Sequence, residues 1–326
     1  MAVLSTGAGP RFSMDVYRIL SIDGGGIKGV FPAALLATVE KTLPKPVGSY
    51  FDLIVGTSTG GIIALGLGLG FSAAELLEFY ETLGPRIFKG NRLGLWFKHW
   101  GATKYSPAPL REALESRFGD RRIGEAKTRL VIPSMNIETG KVHIYKTAHH
   151  PKFEIDYPKL AVEAAMATAA APTFFPTHHT SSNIPLVDGG VWANNPVGMA
   201  VVEGIGVLGW EKEKIRVLSI GCTSAPLDIG IRRRFNLGKI FWANKVTDIF
   251  MAGQCSASLG TAYTLVGHDS VVRIDPVVPK GRYDLDVHKE IKSLRGLGKS
   301  EGREALPKLK EMFFCAAAEP FTPYRS

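Results

Sequence analysis

Two stretches decide how this chain folds: YRILSIDGGGIKG at residues 17–29 and FDLIVGTSTG at residues 51–60. Each opens with a short apolar, β-prone run, Tyr17 to Ile22 and Phe51 to Val55, and breaks at glycine. Each then enters a helix-forming segment, Val30 to Leu43 in the first case and the apolar run after Gly60 in the second. Strand, glycine turn and helix, repeated, is the rhythm of a parallel α/β sheet. Outward from there, Ser72 to Leu83 reads as an amphipathic helix with Ser72 as N-cap and Glu75 completing a capping box. Pro107 to Gly119 reads as a helix, as does alanine-rich Leu160 to Ala170, which ends before Pro172. Further strands are expected at Arg129 to Pro133, Lys141 to Tyr145 and Arg216 to Ile220.

A chain of 326 residues with 45% hydrophobic and 21% charged residues can bury a large core, so disorder is not its default. The formal charge of +9 favours anionic partners such as phospholipid headgroups or nucleotides. Cys222, Cys255 and Cys315 are odd in number and far apart, which supports neither a zinc ribbon nor a disulfide framework. A reduced, cytoplasmic setting is expected, with no signal peptide. The most apolar run, Ile62 to Phe71, is shorter than the roughly 20 residues a bilayer span needs.

Gly56-Thr57-Ser58-Thr59-Gly60 matches G-x-S-x-G after a hydrophobic strand and before an apolar helix. A serine hydroxyl projects from such a turn, and Gly56 and Gly60 let strand and helix backbones pass closely. The helix aims its N-terminal amides where an oxyanion would develop. Ser58 is the expected nucleophile. Asp23 to Gly29 also follows a strand and opens a helix, and consecutive glycines expose backbone N–H groups to an anion. Gly24, Gly26 and Gly29 satisfy G-x-G-x-x-G, but no acidic residue ends the next strand to hold a ribose, so an oxyanion hole is preferred to a dinucleotide site. Gly296 to Ser300 imitates a phosphate-binding loop but lacks its leading glycine, since Ser293 stands there.

A serine nucleophile needs a base. His268 or His288 would suit a Ser–Asp–His order, although nothing around either marks it as catalytic, and His178 and His179 fall in a loop read as exposed. The stronger signal is Asp188-Gly189-Gly190, within VDGGVWANNP at residues 187–196. With DGGGIKG, GTSTG and DGG in this order, the chain resembles the patatin-like phospholipases over roughly Arg18 to Val207, and AAMATAAAPTFF (164–175) resembles that family's stretch before its aspartate.

The resemblance implies a three-layer α/β fold, a central mostly parallel sheet flanked by helices. Residues 1–16 are expected to form a loose N-terminal segment, 17–207 the catalytic domain, and 208–326 the rest of the same unit with a helical extension. The resemblance further implies a Ser58–Asp188 dyad, with no histidine, metal or cofactor. Gly24, Gly25 and Gly26 amides would hold the oxyanion, assisted by Lys28, where many members carry arginine. Gly189 and Gly190 complete the base motif. Asn194 and Asn195 are read as a cap or turn before Pro196.

Residues 84–105 carry five basic residues and no acidic one, interleaved with Trp96, Phe97 and Trp100, a composition suited to a headgroup interface. A second basic–aromatic cluster, Arg232-Arg233-Arg234-Phe235, could hold phosphates or pair across the interface of a homo-oligomer. Within the family, the opening motifs look most like bacterial effector phospholipases of cyclic-oligonucleotide antiphage systems. That likeness implies peripheral action at the inner membrane surface and a cyclic dinucleotide activator, with no DNA or RNA polymer as partner. A constitutive acyl hydrolase and a non-hydrolytic nucleotide-binding protein remain as alternatives.

Overall fold

The computed structural model describes residues 16–87, 103–226, 246–283 and 290–325. Its first half runs β1 (Tyr17–Ile22), α1 (Val30–Glu40), β2 (Leu53–Gly56), α2 (Thr59–Gly68), α3 (Ala73–Ile87), α4 (Ala108–Phe118), β3 (Arg129–Asn136), β4 (Lys141–Lys146) and α5 (Ala161–Thr168). There follow β5 (His178–His179), β6 (Pro185–Asp188), α6 (Gly190–Ala193), α7 (Val197–Gly206), β7 (Ile215–Ile220), α8 (Val246–Val266), β8 (Val271–Ile274) and α9 (Ile291–Phe313).

The eight strands of the described residues join one sheet, in the order β5-β6-β3-β2-β1-β7-β8 with β4 on β3. Strands β3, β2, β1, β7 and β8 are mutually parallel, while β4 and β6 run antiparallel to β3. Alternate strand residues enter opposite cores. Leu20, Ile22, Ile54 and Ile132 pack with α1, α2, α3, α5 and α9. Ile19, Leu53, Val55 and Val131 pack with α7 and α8. Burial on both faces explains why the strands read as unbroken apolar runs, and this is the expected three-layer arrangement.

The registers put the functional motifs head to head. Val131 pairs with Val55 of β2 and Lys146 of β4, so those strands occupy opposite edges of β3. Ser134 pairs with both His143 of β4 and Asp188 of β6, so β6 lies on the β2 edge. Strand β2 therefore climbs that edge and leaves it, and β6 descends the same edge to Asp188. Pro133 occupies the gap between them. A strand residue's N–H and C=O point to the same edge, so a proline there leaves no donor orphaned in the gap.

The Ser72 and Glu75 capping box forms, with Ser72 N–H donating to Glu75 Oε2 at 2.8 Å and Glu75 N–H to Ser72 Oγ at 3.2 Å. Helix α5 stops at Thr168, short of Ala170, because the following turn is drawn toward β6. His178 and His179 are a strand, and His178 is buried rather than in an exposed loop. Gly296 to Ser300 lies inside α9, whose Gly298 and Gly302 press on α1: a Cβ at Gly298 would sit 2.5 Å from the Phe31 carbonyl oxygen. Helix α7 is tied to β4 through Glu203, which takes Lys146 Nζ at 2.7 Å and meets His149 Nε2 at 2.9 Å. No helix among the described residues is long and apolar enough to cross a membrane.

Candidate active site

Ser58 sits at the turn between β2 and α2 with φ 54° and ψ −122°, a backbone conformation that L-residues rarely adopt. Crowding holds it there. A Cβ at Gly56 would lie 2.1 Å from the Gly60 carbonyl oxygen, and one at Gly60 would lie 2.3 Å from that of Ile22. Both glycines are required by backbone contact. The Ser58 N–H donates to Thr168 Oγ1 at 3.0 Å, and the Ser58 carbonyl accepts the N–H of Ile62, closing the first turn of α2.

Asp188 ends β6 and is buried, and the Ser58 hydroxyl lies near enough to lower its pKa. Its Oδ1 accepts the N–H of Gly190 at 2.6 Å. Burial pushes the carboxyl up to about 6, against the lowering effect of the Ser58 hydroxyl and the Gly190 N–H. Gly189 is pressed on β3, since a Cβ there would meet the Pro133 carbonyl oxygen at 2.3 Å.

The glycine loop revises one expectation. The Gly24 N–H does not face open space; it donates to the Asn194 carbonyl at 2.9 Å. Helix α6 is only four residues long and leaves its last carbonyls without intrahelical partners. Gly24 satisfies one and the Thr57 hydroxyl, at 2.5 Å from the Ala193 carbonyl, satisfies another. All three motifs are thereby stitched together. Among the described residues, the N–H groups of Gly25 and Gly26 have no hydrogen-bond acceptor, so neither amide is claimed by the protein itself. Gly26 needs its φ of 57°, and Gly25 lies so near Cys222 that a Cβ would meet its Cβ at 2.4 Å. The Lys28 ammonium reaches not to Ser58 but to the Thr223 carbonyl, at 3.1 Å, and ties the loop to the end of β7.

Some contributors carry little or no sequence signal. Arg273 on β8 holds Asp23, the first residue of the glycine loop, and Thr168 holds Ser58. Thr168 had a signal, as a polar residue within an alanine run; Arg273 had none. Asn195 behaves as a turn residue, its Oδ1 accepting the Val197 N–H at 3.1 Å. Among the described histidines none hydrogen-bonds Ser58 or Asp188. His268 stacks on Tyr263 with centroids 4.0 Å apart. Burial, helped by the Arg111 charge, pushes His178 down to about 4. Trp96, Phe97, Trp100, His288 and the Arg232–Arg234 cluster lie outside the described residues. Among the described residues no group of three or more His, Cys, Asp or Glu could hold a metal ion.

A cavity of about 450 Å³ lies beside the Asp188 turn, lined in part by Met135, Ile137, Pro172, Phe175, Val187 and Val191. Ile137 and Val191 are both largely exposed.

The family model described as "Patatin-like phospholipase" matches residues 20–201, which include every motif above. The chain is 34% identical over 288 residues to a cGAMP-activated phospholipase of Pseudomonas aeruginosa, covering 86% of this chain and 83% of that protein. Proteins of the same description from Escherichia coli and Vibrio cholerae are 39% and 38% identical over 196 and 195 residues, with 55% of each relative covered. Two matches thus span about half of the relative, whereas the first spans most of it. A strained serine turn, a buried aspartate facing it and a glycine loop laced to both stand in one segment that the family model matches throughout, and the chain belongs to the patatin-like phospholipase family.

Proposed function

We propose that this phospholipase cleaves the acyl esters of membrane phospholipids through Ser58 and Asp188, at a membrane surface, and that a cyclic dinucleotide switches it on. The placing of a buried carboxylate beside the Ser58 hydroxyl, near enough for that hydroxyl to lower its pKa across 130 positions of chain, carries the dyad reading.

Asp188 takes the hydroxyl proton as Ser58 Oγ attacks the ester carbonyl. The resulting oxyanion is received by the Gly25 and Gly26 amides, which have no other acceptor and need not reorganise. Collapse expels the lysophospholipid alkoxide, which recovers the proton from Asp188, and leaves an acyl-serine. Water, giving its proton to Asp188, then releases the fatty acid and regenerates Ser58. A pKa near 6 makes Asp188 a better base than an ordinary carboxylate, while leaving it ionised at neutral pH.

The apolar cavity beside Asp188, with Ile137 and Val191 at the surface, supports lipid as substrate and contact with a bilayer. Activation by a nucleotide is supported by the relatives named as cGAMP-activated. The test measures fatty-acid release from phosphatidylglycerol vesicles, with and without cGAMP, for the native chain, Ser58→Ala and Asp188→Asn. Release that needs cGAMP and disappears in both variants is expected. Equal release with and without the nucleotide removes the switch, and an active Ser58→Ala removes the dyad.

A further inference from the structure

We propose that Thr168 is a positioning residue, and that the short turn it begins sets the separation of Ser58 and Asp188. This deepens the dyad reading and rests on it.

Thr168 is fully buried, and its hydroxyl is used in both directions. It accepts the Ser58 N–H at 3.0 Å and donates its own proton to the Pro133 carbonyl at 2.6 Å. Two residues later, the Ala170 carbonyl accepts the Asp188 N–H at 3.0 Å. One three-residue piece of chain therefore grips the backbone of both members of the dyad. The Pro133 carbonyl that anchors Thr168 lies in the gap of β3 where β2 leaves and β6 arrives, and Gly189 is pressed against the same carbonyl. The result is a closed circuit: Ser58 to Thr168, Thr168 to Pro133, Pro133 along β3 to Ser134 opposite Asp188, and Asp188 back to Ala170.

The need for such a circuit follows from the serine's backbone. With φ at 54°, Ser58 is held away from its relaxed conformation. Its N–H is buried, and Thr168 Oγ1 is its acceptor. Without the hydroxyl that donor has no partner, and the peptide can escape its strain by rotating. The Ser58 side chain then swings off Asp188. The methyl of Thr168 has a separate duty, packing so closely that a Cβ on Gly61 would meet it at 2.8 Å. Chemistry is thus assigned to the hydroxyl and packing to the methyl, which the two conservative substitutions separate.

Thr168→Val keeps the shape and deletes both hydrogen bonds; Thr168→Ser keeps the bonds and deletes the methyl. With a soluble short-chain ester, Thr168→Val is expected to lower kcat about 100-fold at a KM changed less than about twofold, as for a small misplacement of a reacting group. The rate of labelling by a fluorophosphonate should fall in parallel. Thr168→Ser should recover most of both, even at a lower melting temperature. Because the Ser58 hydroxyl lowers the Asp188 pKa, loosening it should move the acidic limb of kcat upward by about half a pH unit. A merely structural Thr168 would change the melting temperature and leave the pH limb in place. Should Thr168→Val not fold, Thr168→Ala is compared with Thr168→Ser in the same way. A folded hydroxyl-free variant with kcat within about threefold of native overturns the inference. If Ser58→Ala is inert in that case, the dyad stands and only the positioning role is lost.

Discussion

Arg273 grips Asp23 with both prongs of its guanidinium, Nη1 to Oδ1 at 2.9 Å and Nη2 to Oδ2 at 2.6 Å, while Nη2 also reaches Asp275 Oδ2 at 2.9 Å. Burial disfavours the cation, but the two carboxylates outweigh it and raise its pKa. The glycine loop begins at Asp23, so this pair fixes where the Gly25 and Gly26 amides point. Arg273→Ala leaves the buried Asp23 and the partly buried Asp275 without their cation and should lower stability by about 3 kcal/mol. Arg273→Lys restores the charge without the fork and should fall between. Urea midpoints measure both; a shift under about 0.5 kcal/mol for alanine would show that the pair holds nothing.

The pH dependence follows from Asp188. As the proposed base it must be ionised, so kcat should rise about tenfold per pH unit below its pKa of about 6 and level off above pH 7. Stability runs the other way. A carboxyl whose folded pKa lies above its unfolded value binds protons more tightly when folded, so stability falls as pH rises from about 4 to 6. Asp188→Asn removes that cost and should be more stable than native at pH 8 by about 1–3 kcal/mol, the difference vanishing below pH 4. Thermal melts at both pH values are the check, and a destabilised asparagine variant at pH 8 contradicts the sign.

Two glycine substitutions should part company. Gly60→Ala places a Cβ 2.3 Å from the Ile22 carbonyl oxygen, where only backbone movement can relieve it. A loss of about 3 kcal/mol or more is expected. Gly253 is exposed in α8, and a Cβ there would meet nothing within 4 Å, so Gly253→Ala should gain about 0.5–1 kcal/mol from helix propensity. Equal unfolding midpoints for the two would contradict the packing argument.

The fold's first half was legible because its punctuation is local. Strand β1 runs over the same six residues that the apolar run marked, and the Ser58 and Asp188 motifs announce themselves by their glycines. What escaped was whatever depends on partners distant in sequence. The Gly24 amide was assigned to an oxyanion because nothing in DGGGIKG says that the α6 carbonyls will claim it. Lys28 looked like a positive charge assisting the glycine amides, and its ammonium instead meets the Thr223 carbonyl. Arg273 is 250 positions from Asp23 and carries no motif. Helix α9 was obscured by Gly296, Gly298, Gly302 and Pro307, residues that ordinarily argue against a helix; two of the glycines serve the close approach to α1.

The pairing of β1 with β7 along all six of its residues bears on inheritance. The family match closes at residue 201, before β7 begins at Ile215. A fragment cut at that border would keep every reactive group yet turn β1 into a raw edge open to aggregation, and it would strip α1 of the α9 surface. Kinship can be recognised from the shorter stretch, but only the longer one can be passed on as a working unit. Recombination within such a lineage is therefore expected to favour junctions beyond α9 over junctions at the end of the recognisable motifs.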